Sequence, residues 1–159
     1  MNPTESAEIR GAFFDAMIEG WANPNIKKVP LPGLPNSKSI RFKKGIFVVT
    51  DTYVKNSESG KSAGFTLITR AGQPVWVMNY GGFYPAEAIP FLKSALMAAY
   101  QKREFCGGRG PALFESSDYV YSNSLKVDVF GYFEGEEEVK TRVGNPVGWH
   151  TYWGISLLP

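Results

Sequence analysis

Apolar residues recur along the first twenty positions with the period of a helix. Ile9, Ala12, Phe13, Ala16 and Met17 fall on one stripe, which predicts an amphipathic helix over residues 3–19. Asn2 is placed to cap it, Pro3 suits the first helical position and Glu5 can reach back to the cap. Gly20 is read as a left-handed stop. The pattern then lapses. Pro24, Pro30, Pro32 and Pro35 exclude a regular helix or central strand, so residues 22–45 are read as one long connection. Its leucines, Leu31 and Leu34, are expected to lie buried across the core.

From Ile46 the chain turns to β-branched and aromatic residues. Strands are predicted at 46–54, 64–69 and 75–80, with turns at 56–61 and 71–74. The second and third carry apolar residues on both parities: Phe65 and Leu67 against Ile68, and Trp76 and Met78 against Val75 and Val77. That predicts central strands covered on both faces. A helical stripe returns at about 89–103 through Leu92, Ala95, Leu96 and Ala99, followed by a glycine-rich loop from Phe105 to Pro111. The last third reads as strand: 119–133, bending near Asn123 and Gly131, then a turn at Gly135. A hairpin of 137–143 and 147–158 follows around Gly144-Asn145-Pro146. The elements predict a single α+β domain over residues 1–159. Its sheet is mainly antiparallel, with an N-terminal helix and one central helix packed on it.

Composition narrows the class. With 43% apolar and 20% charged residues the chain is globular rather than disordered. A formal net charge of +2 gives no case for nucleic acid. The charge is uneven: Lys27, Lys28, Lys38, Arg41, Lys43 and Lys44 lie in an acid-free stretch, and Glu134, Glu136, Glu137 and Glu138 cluster later. Both groups are read as solvated surface. A single cysteine, Cys106, excludes an intramolecular disulfide, and one histidine with one cysteine makes no usual zinc site. No nucleotide-binding glycine motif is present, and no cofactor is expected. The polar opening and the lack of a long apolar run predict a cytoplasmic protein without a membrane span.

Strand parity isolates two acids. Asp51 shares a face with Phe47, Val49 and Tyr53, and Glu137 shares one with Val139 and Val143. A carboxylate on an inward face needs a partner. Arg109, held between glycines and Pro111, is the base best suited to supply it. Gly107-Gly108-Arg109-Gly110 is read as a plain turn, with an anion cradle of backbone amides as the alternative. His150 is read as a structural or surface histidine. Aromatics concentrate at 76–80, 130–133 and 149–153, which predicts core packing first and an aromatic-lined small-molecule pocket second. A stacking surface for single-stranded nucleic acid is the weaker alternative, since the RNA-recognition signature is absent.

Several segments, in order, resemble a family of uncharacterised bacterial domains that also occurs C-terminal to helix-turn-helix regulators. They are Asp51-Thr52-Tyr53, Gly72 to Gly82 with its Pro-Val-Trp-Val-Met-Asn-Tyr run, Phe91 to Leu96, Arg109-Gly110-Pro111, and Gly131 to Val139. The family tends to end in an aromatic-His-Gly-Gly run. Here the end reads Tyr152-Trp153-Gly154-Ile155, which leaves His150 as the nearby histidine. The resemblance implies an α+β fold, no known activity and a sensing or binding role.

The leading expectation is therefore a binding domain with an aromatic-lined pocket for a small molecule. Its site residues are Asp51, Tyr53, Trp76, Asn79, Tyr80, Arg109 and Glu137. Trp76 and Tyr80 are expected to stack, Asn79 and Tyr53 to orient the ligand, and the charged residues to match its charge. One alternative is a small enzyme using Asp51 or Glu137 as general base. The other is a protein-interaction module built on the basic, proline-rich loop 22–45.

Overall fold

In the computed structural model, which describes residues 2–21, 23 and 25–159, the first helix starts where its capping sequence places it. Helix α1 spans Pro3–Glu19. The Asn2 side chain accepts from the Glu5 N–H at 2.9 Å, and the Glu5 carboxylate accepts from the Asn2 N–H at 3.2 Å. All five stripe residues are buried. The stop at Gly20 is not left-handed: φ is −99°, and its N–H donates to the Ala16 carbonyl at 2.7 Å. A Cβ there would collide with that carbonyl, so glycine is needed for space rather than for an unusual φ.

Eight strands follow: β1 (Ser37–Lys44), β2 (Phe47–Lys55), β3 (Lys61–Arg70), β4 (Gln73–Phe83), β5 (Leu113–Glu115), β6 (Tyr119–Val129), β7 (Tyr132–Thr141) and β8 (Pro146–Ser156). Helix α2 (Ile89–Lys102) lies between β4 and β5. The strands form one antiparallel sheet in the order β1-β2-β3-β4-β8-β7-β6-β5. It is two four-stranded meanders joined along β4 and β8. The α2 connection carries the chain from the middle of the sheet to its far edge.

The strands depart from the expected pattern in several places. The connection 22–45 contains β1, which begins only after the last proline, Pro35. Its Lys38, Arg41, Lys43 and Lys44 give an edge strand the charge that discourages further pairing. Leu31 and Leu34 are not buried across the core, being 42% and 38% exposed. The stretch 119–133 is not one bent strand. It breaks into β6 and β7 at Phe130-Gly131, with a register shift between Leu125 and Val127. Gly135 is not a turn but lies within β7, opposite Tyr152, where a Cβ would meet the Tyr152 ring at 2.7 Å.

The central strands are fully covered on one face only. Thr66, Ile68, Trp76 and Met78 are buried, whereas Phe65, Leu67 and Val77 on the other face are half-buried; Val75, at the register shift between β3 and β4, is buried despite its parity. Trp149 and Trp153 of β8 lie exposed on that second face. The core sits under the helices. Its centre is Trp76, 0% exposed, with ring centroids of Phe130, Phe133 and Phe13 at 5.3, 5.4 and 5.4 Å. The indole N–H donates to the Phe130 carbonyl at 2.9 Å. Among the described residues no helix is long and apolar enough to cross a membrane.

Truncating Trp76 to alanine removes this stack and orphans the Phe130 carbonyl. Urea denaturation of Trp76→Ala is expected to show a loss of about 3–5 kcal/mol. An equally stable variant would contradict the central placement of the ring.

Candidate functional site

The site begins with a glycine-rich loop pressed onto the sheet. Gly107 and Gly108 have φ of +64° and +72°, a backbone that side-chain-bearing residues rarely adopt. A Cβ at Gly107 would lie 2.6 Å from the Tyr152 ring, and one at Gly108 would lie 2.9 Å from Met78 Sδ. Only glycine lets the loop approach this closely. The loop is then pinned by polar side chains from below. Asn123 donates to the Cys106 and Gly110 carbonyls at 3.0 and 2.8 Å, and the Tyr100 hydroxyl donates to the Gly108 carbonyl at 3.0 Å. The Tyr152 hydroxyl donates in turn to Asn123 Oδ1.

This geometry turns Arg109 inward. Its Nε donates to Glu137 Oε2 at 3.0 Å and its Nη2 donates to Oε1, a fork-on-carboxylate pairing. Both partners are removed from water, at 4% and 1% exposure. Tyr121 completes the shell: its hydroxyl accepts from the Gly110 N–H at 2.9 Å and donates to Glu137 Oε2 at 2.7 Å. The Arg109 N–H donates to the Cys106 carbonyl at 3.1 Å. With the Arg109 and Gly110 amides engaged inside the chain, the loop is a turn that positions Arg109. Burial pushes the Glu137 carboxyl up, but Arg109 and then His150 outweigh it and hold it at about 2. Burial works against the Arg109 cation as well, and the Glu137 charge lifts it well above its ordinary value.

A second carboxylate lies across the sheet. Asp51 of β2 is buried and accepts from Thr66 Oγ1 at 2.6 Å and from the Tyr80 hydroxyl at 3.0 and 3.2 Å. Burial raises its pKa despite these bonds. Burial and then Asp51 drive the Tyr80 phenol well above its usual range. Arg109 does not pair with Asp51 directly. Its guanidinium carbon lies 5.6 Å from the Tyr80 ring centroid, so Tyr80 bridges the two acids.

His150 of β8 sits directly opposite Glu137 in the ladder and is 6% exposed. Its Nδ1 lies 3.5 Å from Glu137 Oε1 and 3.4 Å from Arg109 Nη2. Burial lowers its pKa; Glu137 acts against that shift and Arg109 adds to it. The imidazole is therefore neutral at pH 7. Its Nε2, on the other side of the ring, has no hydrogen-bond partner among the described residues, and neither does the Tyr84 hydroxyl. The two rings meet edge to face, 4.9 Å apart. Burial and then the Glu137 carboxylate raise the Tyr84 phenol; the carboxylate is near enough to act on the hydroxyl but makes no well-formed hydrogen bond with it.

Above this polar layer is a cavity of about 370 Å³. Tyr53, Tyr80, Tyr84 and His150 line it from the sheet, Ile89 and Leu92 from the α2 side, and Trp21 from the segment after α1. Of the residues singled out from the sequence, Tyr53 and Tyr80 line the cavity, while Asp51, Arg109 and Glu137 form the charged layer beside it. Trp76 shares their face of the sheet but is enclosed in the core. Asn79 is on the opposite face, paired with Phe65 and Trp153 in the ladder. The sequence reading did not select Tyr84, Tyr121 or His150. The parity of β8 was the available signal for His150, since it puts that residue on the same face as Tyr152. Glu137, grouped with the surface acids by composition, is the buried member of that cluster.

The Arg109–Glu137 pair makes two linked predictions. Arg109→Ala is expected to lose about 3–5 kcal/mol, because it strands a buried carboxylate. The double variant Arg109→Ala/Glu137→Ala is expected to lose less than the sum of the single changes by about 1 kcal/mol or more. Additive effects would refute the coupling. The folded pKa of Glu137 lies below its ordinary 4.5, so the pair's contribution is complete above pH 4.5 and is lost as pH falls toward 2. His150, lowered from 6.5, adds a loss below pH 6.5. Asp51 has the opposite sign, because its raised pKa favours the fold when it is protonated. Denaturation of Glu137→Gln across pH 6 to 2 should show a flatter acid limb than the parent. An unchanged limb would mean that Glu137 is not held ionised.

Comparison with known proteins adds a family without a described function. A family model described as a domain of unknown function (DUF5680) matches residues 51–154. The matched span begins at Asp51 and includes Tyr53, Tyr80, Tyr84, Arg109, Glu137 and His150. No curated protein and no solved structure matches the chain. With more than half of its length covered by that model, the chain belongs to the DUF5680 family.

Proposed function

We propose that this chain is a small-ligand-binding domain whose ligand occupies the cavity between the sheet and α2. The observation that carries the reading is a cavity lined by Tyr84 and His150, whose hydroxyl and Nε2 are buried without a hydrogen-bond partner among the described residues. A buried polar group without a partner costs about 1–3 kcal/mol, and a ligand bonding to both would offset that cost. The rest of the polar layer is satisfied internally, so it holds these two groups in place without competing for them. The cavity volume of about 370 Å³ falls within the range of roughly 300–1,000 Å³ of small-molecule sites, which combine aromatic walls with a few convergent polar groups. The resemblance to domains that follow helix-turn-helix regulators supports a sensing role for the bound state.

An enzyme is the second reading, with a different base from the one the sequence suggested. Glu137 is held ionised by Arg109 and is a weak base for that reason, and Asp51 lies buried behind the donors Thr66 and Tyr80. His150, backed by Glu137, has the unpartnered nitrogen that proton transfer requires. The interaction-module reading of loop 22–45 retains the exposed Leu31 and Leu34. The same loop, however, sends Lys28 into the cavity lining, which favours assigning it to the ligand site.

Native mass spectrometry of the gently purified protein, followed by a thermal-shift screen of small molecules, tests the proposal. At least one compound is expected to bind and to raise the Tm. Tyr84→Phe should keep the fold and weaken that compound by about tenfold, the value of one buried hydrogen bond. Equal affinity in Tyr84→Phe and His150→Phe would contradict the assignment.

A further inference from the structure

Lysines are the charged residues lining the cavity. Lys28, Lys38, Lys55 and Lys93 all line it, and no aspartate or glutamate does. They come from separate places in the chain: the segment before β1, β1 itself, the end of β2 and α2. None of them is ion-paired among the described residues. Lys28 and Lys93 hold their ammonium groups over the same Trp21 ring, at 5.5 and 5.3 Å from its centroid. Lys28 also lies 5.2 Å from the Tyr53 ring centroid and donates to the Tyr53 hydroxyl at 3.4 Å.

Unmatched like charges drawn together over a partly buried ring are costly. Burial, then Lys93, and also Lys38, push the Lys28 amine down to about 8, against the pull of Asp51. Asp51 does not neutralise the group, because Thr66 and Tyr80 occupy its oxygens. A cluster of this kind is relieved by an anion set among the ammonium groups. The same cavity is lined by the aromatic Tyr53, Tyr80 and Tyr84, by His150 and by the apolar Ile89 and Leu92. A ligand with a charged head for the lysines and a planar body for the tyrosines matches this lining.

We infer that the ligand is a small organic anion, a carboxylate or phosphate joined to a flat unsaturated body, with its head group held by Lys28 and Lys93 over Trp21. This inference rests on the proposed binding function and specifies the ligand class for the same cavity. Calorimetric titration of the full chain tests it with five probes: benzoate, phenyl phosphate, inorganic phosphate, neutral benzyl alcohol and cationic benzylamine. Benzoate or phenyl phosphate is expected to bind at least about tenfold more tightly than benzyl alcohol, and benzylamine to bind most weakly. Comparison with inorganic phosphate separates a ligand that needs the flat body from one that needs the charge alone. Lys28→Gln and Lys93→Gln are each expected to remove most of the anion preference, read as the ratio of benzoate to benzyl alcohol affinity. Lys43→Gln, an exposed change on β1 outside the cavity lining, should leave it intact. Benzyl alcohol or benzylamine binding as tightly as the anions would overturn the inference and leave the binding function standing. So would an anion preference reduced equally by Lys43→Gln, or one unchanged in Lys28→Gln/Lys93→Gln, or inorganic phosphate binding as tightly as phenyl phosphate. No binding by any probe at millimolar concentration would overturn both the inference and the binding function.

Discussion

The buried Arg109–Glu137 ion pair is the constraint to which most of the surrounding structure answers. Two charges taken out of water cost several kcal/mol each unless the interior replaces their hydration. Here that replacement comes from Tyr121, from His150 and from the forked geometry of the pair itself. The loop carrying Arg109 must lie flat against β6 and β8 to deliver the guanidinium, which is why Gly107, Gly108 and Gly110 occur where any Cβ would strike Tyr152, Met78 or Tyr121. Asn123, Tyr100 and Tyr152 then fix the loop from beneath. The same guanidinium lies beside Tyr80, which carries the network across to Asp51 in the other meander. A polar layer of this kind specifies one arrangement of the two half-sheets, since any other leaves a charge without a partner.

A cavity follows from how that layer ends. Among the described residues the side-chain donors and acceptors within it are matched except at Tyr84 and His150, two residues that line the cavity. The lining combines four lysines, Lys93 of α2 among them, with Tyr53, Tyr80, Tyr84 and His150 from the sheet side and the apolar Ile89 and Leu92. The chemistry on offer is therefore cationic, aromatic and hydrogen-bonding around one space. A neutral imidazole supported by Glu137 is suited to either binding or proton transfer, and the choice between them depends on the ligand rather than on the fold.

Much of the fold was legible in the sequence because local signals and tertiary environment agree. The Asn2-Pro3-Glu5 start and the Ile9 to Met17 stripe specify α1 without reference to anything else. Parity placed Asp51 and Glu137 inward, since an acid that alternates with Val49 or Val139 shares their side of a pleated strand. Arg109 emerged from the same reasoning, as the inward acids needed a cation and few were available. Other features depend on contacts distant in sequence. Gly135 reads locally as a turn, and only Tyr152, packed across β7, explains it as a strand residue. β1 was hidden by the prolines before it and by edge lysines that look like loop. The second face of β3 and β4 is apolar in sequence yet only half-covered, because both helices pack on the opposite side. Lys28 and Trp21 joined the site through the fold of an irregular segment, for which periodicity offers no rule.

The protonation state of His150 reports most directly on the central claim, and the chain contains a single histidine, so its nitrogen NMR signals need no assignment. At pH 6.5 an ordinary imidazole is about half protonated. If burial beside the Arg109–Glu137 pair governs it, His150 will be mostly neutral at that pH and will titrate below it. A ring that is mostly protonated at pH 6.5, or that titrates at or above that value, would contradict the account.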